Sequence, residues 1–213
     1  MIRVGVDLSK KYQPRTKEKL EDLIKELVKK RGNEANLNDV DVSQIEDMSY
    51  LFFDSKFNGN ISKWNVSNVK NMTGMFDNSQ FNGDISNWDV SGVVDMRGMF
   101  YGSQFNSNIS KWNVGKVENM SEMFEESQFN GDISKWDVSS VKDMKWMFKA
   151  SKFNGDISKW NVSEVRSMLG MFDSSQFSGD ISNWNVSRVK YIFGIFDNSQ
   201  FKGDISKWAK KPE

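Results

Sequence analysis

Apolar residues recur along this chain at fixed stations of a 24-residue period: Ile61, Trp64, Val66 and Val69, then Met72, Met75, Phe76 and Phe81, with polar residues between them. The tryptophan station returns as Trp64, Trp88, Trp112, Trp136, Trp160, Trp184 and Trp208. Self-similarity at such a period marks a stacked array, whose units each have one apolar side that they cannot bury alone. The pattern divides the chain into residues 1–32 and an array over 33–213. The array comprises a degenerate unit at 33–56, six regular units over 57–200 and a half unit at 201–213. In the degenerate unit Leu37, Val40 and Val42 hold the stations of Ile61, Trp64 and Val66, and Ile45, Met48, Leu51 and Phe52 hold those of Val69, Met72, Met75 and Phe76.

Within a unit the spacing of the anchors changes. Ile61, Trp64 and Val66 match the L-x-x-L-x-L core of a leucine-rich repeat, which predicts a short strand whose last two anchors alternate across it. Ser67 then stands where an N-cap would, ahead of Val69, Met72, Met75 and Phe76 on one face of a helical turn. Asn58-Gly59 supplies a turn back to the next strand. The fold class expected is an α/β repeat: a leucine-rich-repeat-like right-handed solenoid of parallel strands and short helical turns, with an N-terminal capping helix. Two features depart from ordinary leucine-rich repeats. Valine (Val69, Val93, Val117) replaces the asparagine that follows the strand, and Gly74, Gly98, Gly170 and Gly194 fall inside the helical segment, where glycine costs ~1 kcal/mol.

Ahead of the array, Ile2, Val4, Val6 and Leu8 alternate as a strand would. A helix is predicted over 16–31. Thr16 is its N-cap, Lys29, Lys30 and Arg31 face the negative end of its dipole, and Gly32 is its left-handed stop. Leu20, Leu23, Ile24, Leu27 and Val28 make one apolar stripe, which suits a cap over the open end of the array's core. A partner-binding helix is the alternative reading.

The phrase F-N-G-D-I-S-x-W-x-V-S-x-V-x-x-M-x-x-M-F resembles the BspA-like leucine-rich-repeat proteins of bacteria over about residues 33–208, and Tyr12 to Leu20 resembles the start of that family's amino-terminal cap. The resemblance implies a surface or secreted location and adhesion to host or neighbouring-cell proteins. The sequence as it stands has no cysteine for lipidation, and no wall or membrane anchor is expected from it, which departs from that family's pattern. Its start, Met1 to Leu8, lacks the continuous apolar run of a signal peptide, so the sequence as it stands is expected in the cytoplasm.

Composition removes several chemistries. Lys plus Arg equals Asp plus Glu at 29 each, so no global field favours nucleic acid or an anionic membrane. No run approaches the ~20 apolar residues of a membrane span. Histidine and cysteine are absent, which excludes thiol nucleophiles, imidazole bases and the usual zinc ligands. The column Asp132, Asp156, Asp180 and Asp204 stacks like charges that would suit Ca²⁺, or it serves turns. Asn36, Asn60 and Asn108 fill the same column and favour turns. No carboxylate departs from the repeat as a dedicated catalytic pair would, so no enzyme, metal or cofactor is expected.

What does break the repeat is apolar. Trp146, Leu169, Tyr191 and Phe193 interrupt outward columns otherwise filled by glycine or polar residues, with Lys142, Lys145, Lys149 and Arg166 around them. An exposed tryptophan with apolar neighbours and a basic rim has the composition of an interface hot spot. The alternative is drift on a tolerant surface, or packing across unit junctions. The function expected is a non-enzymatic scaffold binding a protein partner; the alternative is a structural or self-associating element, homo-oligomers included. An enzyme or nucleic-acid binder ranks behind both.

Overall fold

The computed structural model describes residues 11–209. The strand expected from Ile2 to Leu8 lies outside them. Helix α1 spans Lys17–Arg31, with the Thr16 side chain accepting the Lys19 N–H at its start and Gly32, at φ +85°, ending it. Its stripe is narrower than the pattern: Leu20, Ile24 and Leu27 are buried, while Leu23 and Val28 are only partly so. Arg31 clamps the helix end to the first unit through both oxygens of Asp39, each at 2.9 Å, and through the Asn36 carbonyl.

The predicted anchor stations are buried from Ile61 to Ile195, and rings of the same station stack from unit to unit. Trp64 and Trp88 lie 6.3 Å apart and nearly parallel; Phe76 and Phe100 lie 5.7 Å apart. Each station tryptophan also donates its Nε1–H to a carbonyl of the preceding unit, as Trp136 does to Ile109 at 3.1 Å. Burying an indole requires a partner for its one donor. Here the neighbouring unit supplies it.

The backbone pairing sits elsewhere than the pattern suggests. Parallel bridges join Asp47, Asn71, Asp95, Asn119, Asp143, Ser167 and Tyr191 in succession, and not the Trp64–Val66 stretch. The segment expected to be helical is a run of turns, and among the described residues α1 is the sole helix. The reason lies in where its amides go. Those of Met72, Gly74, Phe76 and Asn78 donate to the next unit's Asp95, Arg97, Met99 and Tyr101 carbonyls. Those of Met75, Asp77 and Ser79 close four-residue turns within the unit, onto carbonyls three residues back. An α-helix would claim the same amides for carbonyls four residues back. The turns also require left-handed backbone at two stations, shown by Gly74 at φ +56° and Asn78 at φ +52°.

Away from this ladder, side chains replace backbone bonds. The Asn58 Oδ1 accepts the Asn82 N–H at 2.8 Å, and Asn82, Asn106, Asn130 and Asn154 repeat the contact onto the following unit. An asparagine ladder therefore exists at the Asn-Gly turn, although valine holds the position where leucine-rich repeats carry theirs. The degenerate unit joins the array through the bridges Asn36↔Asn60 and Asp47↔Asn71.

Candidate functional site

Variation between units gathers on the turn face. The stations of Thr73, Gly74 and Asp77 become Arg97, Gly98 and Tyr101, then Ser121, Glu122 and Glu125, then Lys145, Trp146 and Lys149, whereas Ile61-Ser62-Lys63-Trp64 hardly changes. The core stations are held by packing and the Asn-Gly station by its ladder. The turn stations carry a ladder bonded through backbone amides, which persists whichever side chain stands there.

The structure brings the predicted apolar residues together through that backbone. The Trp146 N–H donates to the Leu169 carbonyl at 2.9 Å, the Gly170 N–H to Phe193 at 3.1 Å, and the Met168 N–H to Tyr191 at 2.8 Å. Tyr191 and Phe193 are 64% and 63% exposed; Trp146 and Leu169 are half-buried. Trp146, at φ +55°, lies over Gly170, where a Cβ would stand only 2.6 Å from its Cδ1. It is thus both a packing residue and a surface one.

The rim is less basic in effect than in composition. Lys142 pairs with Glu118 at 2.6 Å, and Lys149 with the nearly buried Glu125 at 3.0 Å. The Glu125 hydrogen bond holds Lys149 above its ordinary pKa, while burial pushes Glu125 up despite that bond. Lys145 Nζ sits 3.7 Å above the Trp146 ring, a cation–π contact, with Lys149 Nζ at 4.9 Å. Arg166 is exposed, and its carbonyl accepts the Lys190 and Tyr191 amides. The composition counted charges; the unit-to-unit register decides which of them are offset.

Tyr50 and Phe53, 53% and 54% exposed, form a second aromatic pair that the sequence reading passed over, packed edge to face at 6.1 Å. With Ile24 and Val28 of α1 they line a groove of about 700 Å³. The signal was present: both occupy turn stations of the degenerate unit, which has to be aligned with the others before they stand out. The stacked aspartates serve turns. Asp132, Asp156, Asp180 and Asp204 each accept the amide of the serine two residues on, and those bonds hold Asp132, Asp156 and Asp180 below the usual carboxylate range.

A smaller cleft of about 190 Å³ lies between Tyr50 and Glu122. Burial pushes its Asp77 from 3.8 up to about 6, with Glu122 and Asp54 adding to the rise and the Asn78 hydrogen bond opposing it. A carboxyl with a raised folded-state pKa binds its proton more tightly folded than unfolded. Its favourable contribution is therefore present at low pH and lost as pH climbs towards and through about 6. Asp77→Asn should raise stability near neutral pH by about 1 kcal/mol after solvent screening. It should change little at pH ~2.5, below the unfolded value of 3.8, where both states are protonated. Thermal melts at the two pH values check this, with a shift of roughly 2–4 °C expected only at the higher one.

Among the described residues no helix is long and apolar enough to cross a membrane. No curated protein and no solved structure matches the chain with significance. One family's sequence model does match, twice, over residues 21–130 and 118–212, an overlap of two long matches that reflects the internal repeat. Those matches take in α1 from its second turn and nearly all of the stacked units. The chain is a repeat protein, and it belongs to the family described as Mycoplasma protein of unknown function, DUF285.

Proposed function

We propose that this chain is a non-enzymatic scaffold whose stacked units form a right-handed, leucine-rich-repeat-like solenoid of the BspA type, and that it binds a protein partner through its turn face. The observation that carries the reading is the contiguous patch of Trp146, Leu169, Phe193 and Tyr191 on the face where units differ. Aromatic anchors in a cluster are the residues on which interfaces concentrate their energy, while charges at the rim act mainly on association rate. The resemblance to surface proteins adds adhesion and a location at the cell surface to the proposal.

The left-handed backbone at Trp146 supplies a well-matched variant. Glycine is the natural occupant of this station at Gly74, Gly98, Gly170 and Gly194, so Trp146→Gly removes the ring while relieving a conformation that costs a non-glycine residue ~1–2 kcal/mol. Lost packing and relieved strain oppose each other, and the melting temperature should move by only a few degrees. Binding to a partner captured from an extract of the source organism should weaken at least tenfold, about 1.4 kcal/mol or more. An unchanged affinity would remove the patch from the proposal.

Self-association is the second reading, favoured by Tyr191 and Phe193 standing exposed in the last complete unit. Light scattering after size exclusion separates the two. A dimer at micromolar concentration that Phe193→Ser and Trp146→Gly return to monomer supports self-association, and a monomer at all concentrations supports a separate partner.

A further inference from the structure

At the station of Gly74 a large side chain leans over the following unit. Tyr50 lies on Gly74 and Trp146 on Gly170, each ring occupying the space a Cβ there would need. The two arrangements have the same order, an aromatic followed by two glycines in successive units: Tyr50, Gly74, Gly98 and Trp146, Gly170, Gly194. The second glycine of each set has only a glycine before it, so no side chain from this station reaches across it. Over Gly194 the slot is entered by Asp197, whose Oδ2 comes within 3.0 Å of where a Cβ would stand. Over Gly98 it is open, the nearest atom being Tyr101 Cβ at 3.9 Å, and there the cleft of about 190 Å³ is found.

The surroundings of the open slot specify a charge. Tyr50, Tyr101, Asp77 and the Arg97–Glu122 pair line it. Arg97 Nε and Nη2 hold the two oxygens of Glu122 at 3.2 Å each. The two carboxylates against one guanidinium leave the lining one negative charge. Asp54 acts on Asp77, and Glu125 and Glu126 act on Tyr101, so the field around the slot is more negative still; Lys149, a cation that also acts on Tyr101, is engaged by Glu125. Among the described residues Asp77 accepts from one side-chain donor, Asn78 Nδ2 at 2.8 Å, and its carboxylate retains capacity for more.

We propose that the cleft over Gly98 is a binding site for the guanidinium group of an arginine side chain from a partner polypeptide. A guanidinium is flat, so it lies on the bare backbone of Gly98 as the Tyr50 ring lies on Gly74. Its faces suit the tyrosine rings and its edge presents paired N–H donors to the Asp77 carboxylate. An ammonium is a compact, strongly hydrated point charge and lacks the planar face. The cleft shares no residue with the Trp146 surface, so the proposal stands apart from the reading of function above.

The test is a titration of the full chain, followed by amide chemical shifts, with N-acetyl-arginine amide as the probe. The corresponding blocked lysine and the neutral, equally flat blocked citrulline serve as comparisons. A fragment of this size is expected to bind in about the millimolar range. Saturable shifts should centre on Gly74, Gly98 and Tyr101, with at least tenfold weaker binding of citrulline and lysine. Binding should also weaken as pH falls from 7.5 to 5, because the Asp77 carboxylate, acted on by Glu122 and Asp54 and sharing the cleft with Arg97, takes up its proton near 6. Asp77→Asn should weaken the arginine probe at least tenfold without loss of folding. Gly98→Trp, whose Cβ would stand on the bare face the guanidinium needs and whose ring would lean over Glu122 as the Trp146 ring leans over Gly170, should abolish it, with unchanged shifts elsewhere showing that the stack is intact. Trp146→Gly should leave the titration untouched, whatever it does to partner binding. Equal binding of citrulline or lysine, full affinity in Asp77→Asn, or shifts scattered over the surface would each overturn the proposal. Tighter binding of free L-arginine than of the blocked probe would overturn its polypeptide source.

Discussion

Trp136→Ala should be among the most damaging single substitutions in this chain, with a loss of about 4–5 kcal/mol in urea unfolding. The side chain is only 4% exposed, stacks on Trp112 at 6.5 Å and meets Phe124 at 6.3 Å. Large-to-small changes in a core cost ~3–5 kcal/mol for a tryptophan, towards the upper end where the cavity is rigidly walled. Stacked rings fixed by the units on either side give that wall little freedom to collapse. The substitution also leaves the Ile109 carbonyl without its indole donor. Because each unit contacts only its neighbours, a central defect should weaken the coupling between the two halves and broaden the transition. A loss below ~1 kcal/mol with an unbroadened transition would be incompatible with a tryptophan stack that carries the array.

Leu27→Lys should be comparably severe, and local in a different place. Leu20, Ile24 and Leu27 are the α1 side chains that close the core at the degenerate unit, Leu27 being 1% exposed. Burying an ammonium there adds a desolvation penalty to the ~2–5 kcal/mol of a lost leucine. The damage should begin at the capped end, with amides of Ala35 to Phe57 exchanging with solvent ahead of those beyond Phe129, as expected when one cooperative segment opens before the rest. Leu23→Lys, one turn earlier and only partly buried, should cost much less. Equal losses from the two substitutions would mean that α1 is docked on a different face.

How much of this was legible depended on the kind of force. The period, the buried stations, α1 and both its caps follow from the order of apolar and polar residues, because burial requires only that the right residues recur at the right interval. Thr16 and Gly32 act within a few residues of themselves, and local pattern suffices for them. Trp146, Leu169, Tyr191 and Phe193 stood out as interruptions of columns, and the backbone ladder does place them in adjoining units.

The hydrogen bonds were beyond that reading, since they join residues about one unit apart and depend on register. Local periodicity assigned a helix to Val69–Phe76, whereas the amides there bond across to the next unit. The glycines at 74, 98, 170 and 194, a weakness in any helix, are the natural occupants of a left-handed turn at φ +55° to +63°. Register likewise set Glu125 beneath Lys149 and Trp146 over Gly170, and it left Gly98 bare beside Asp77. That identical apolar stations stack follows from the order of residues, because the hydrophobic effect is non-directional and needs only a repeat. Which amides pair, which charges are offset and where a cleft stays open were decided by the tertiary structure alone, because directional bonds exist only once two units share one register.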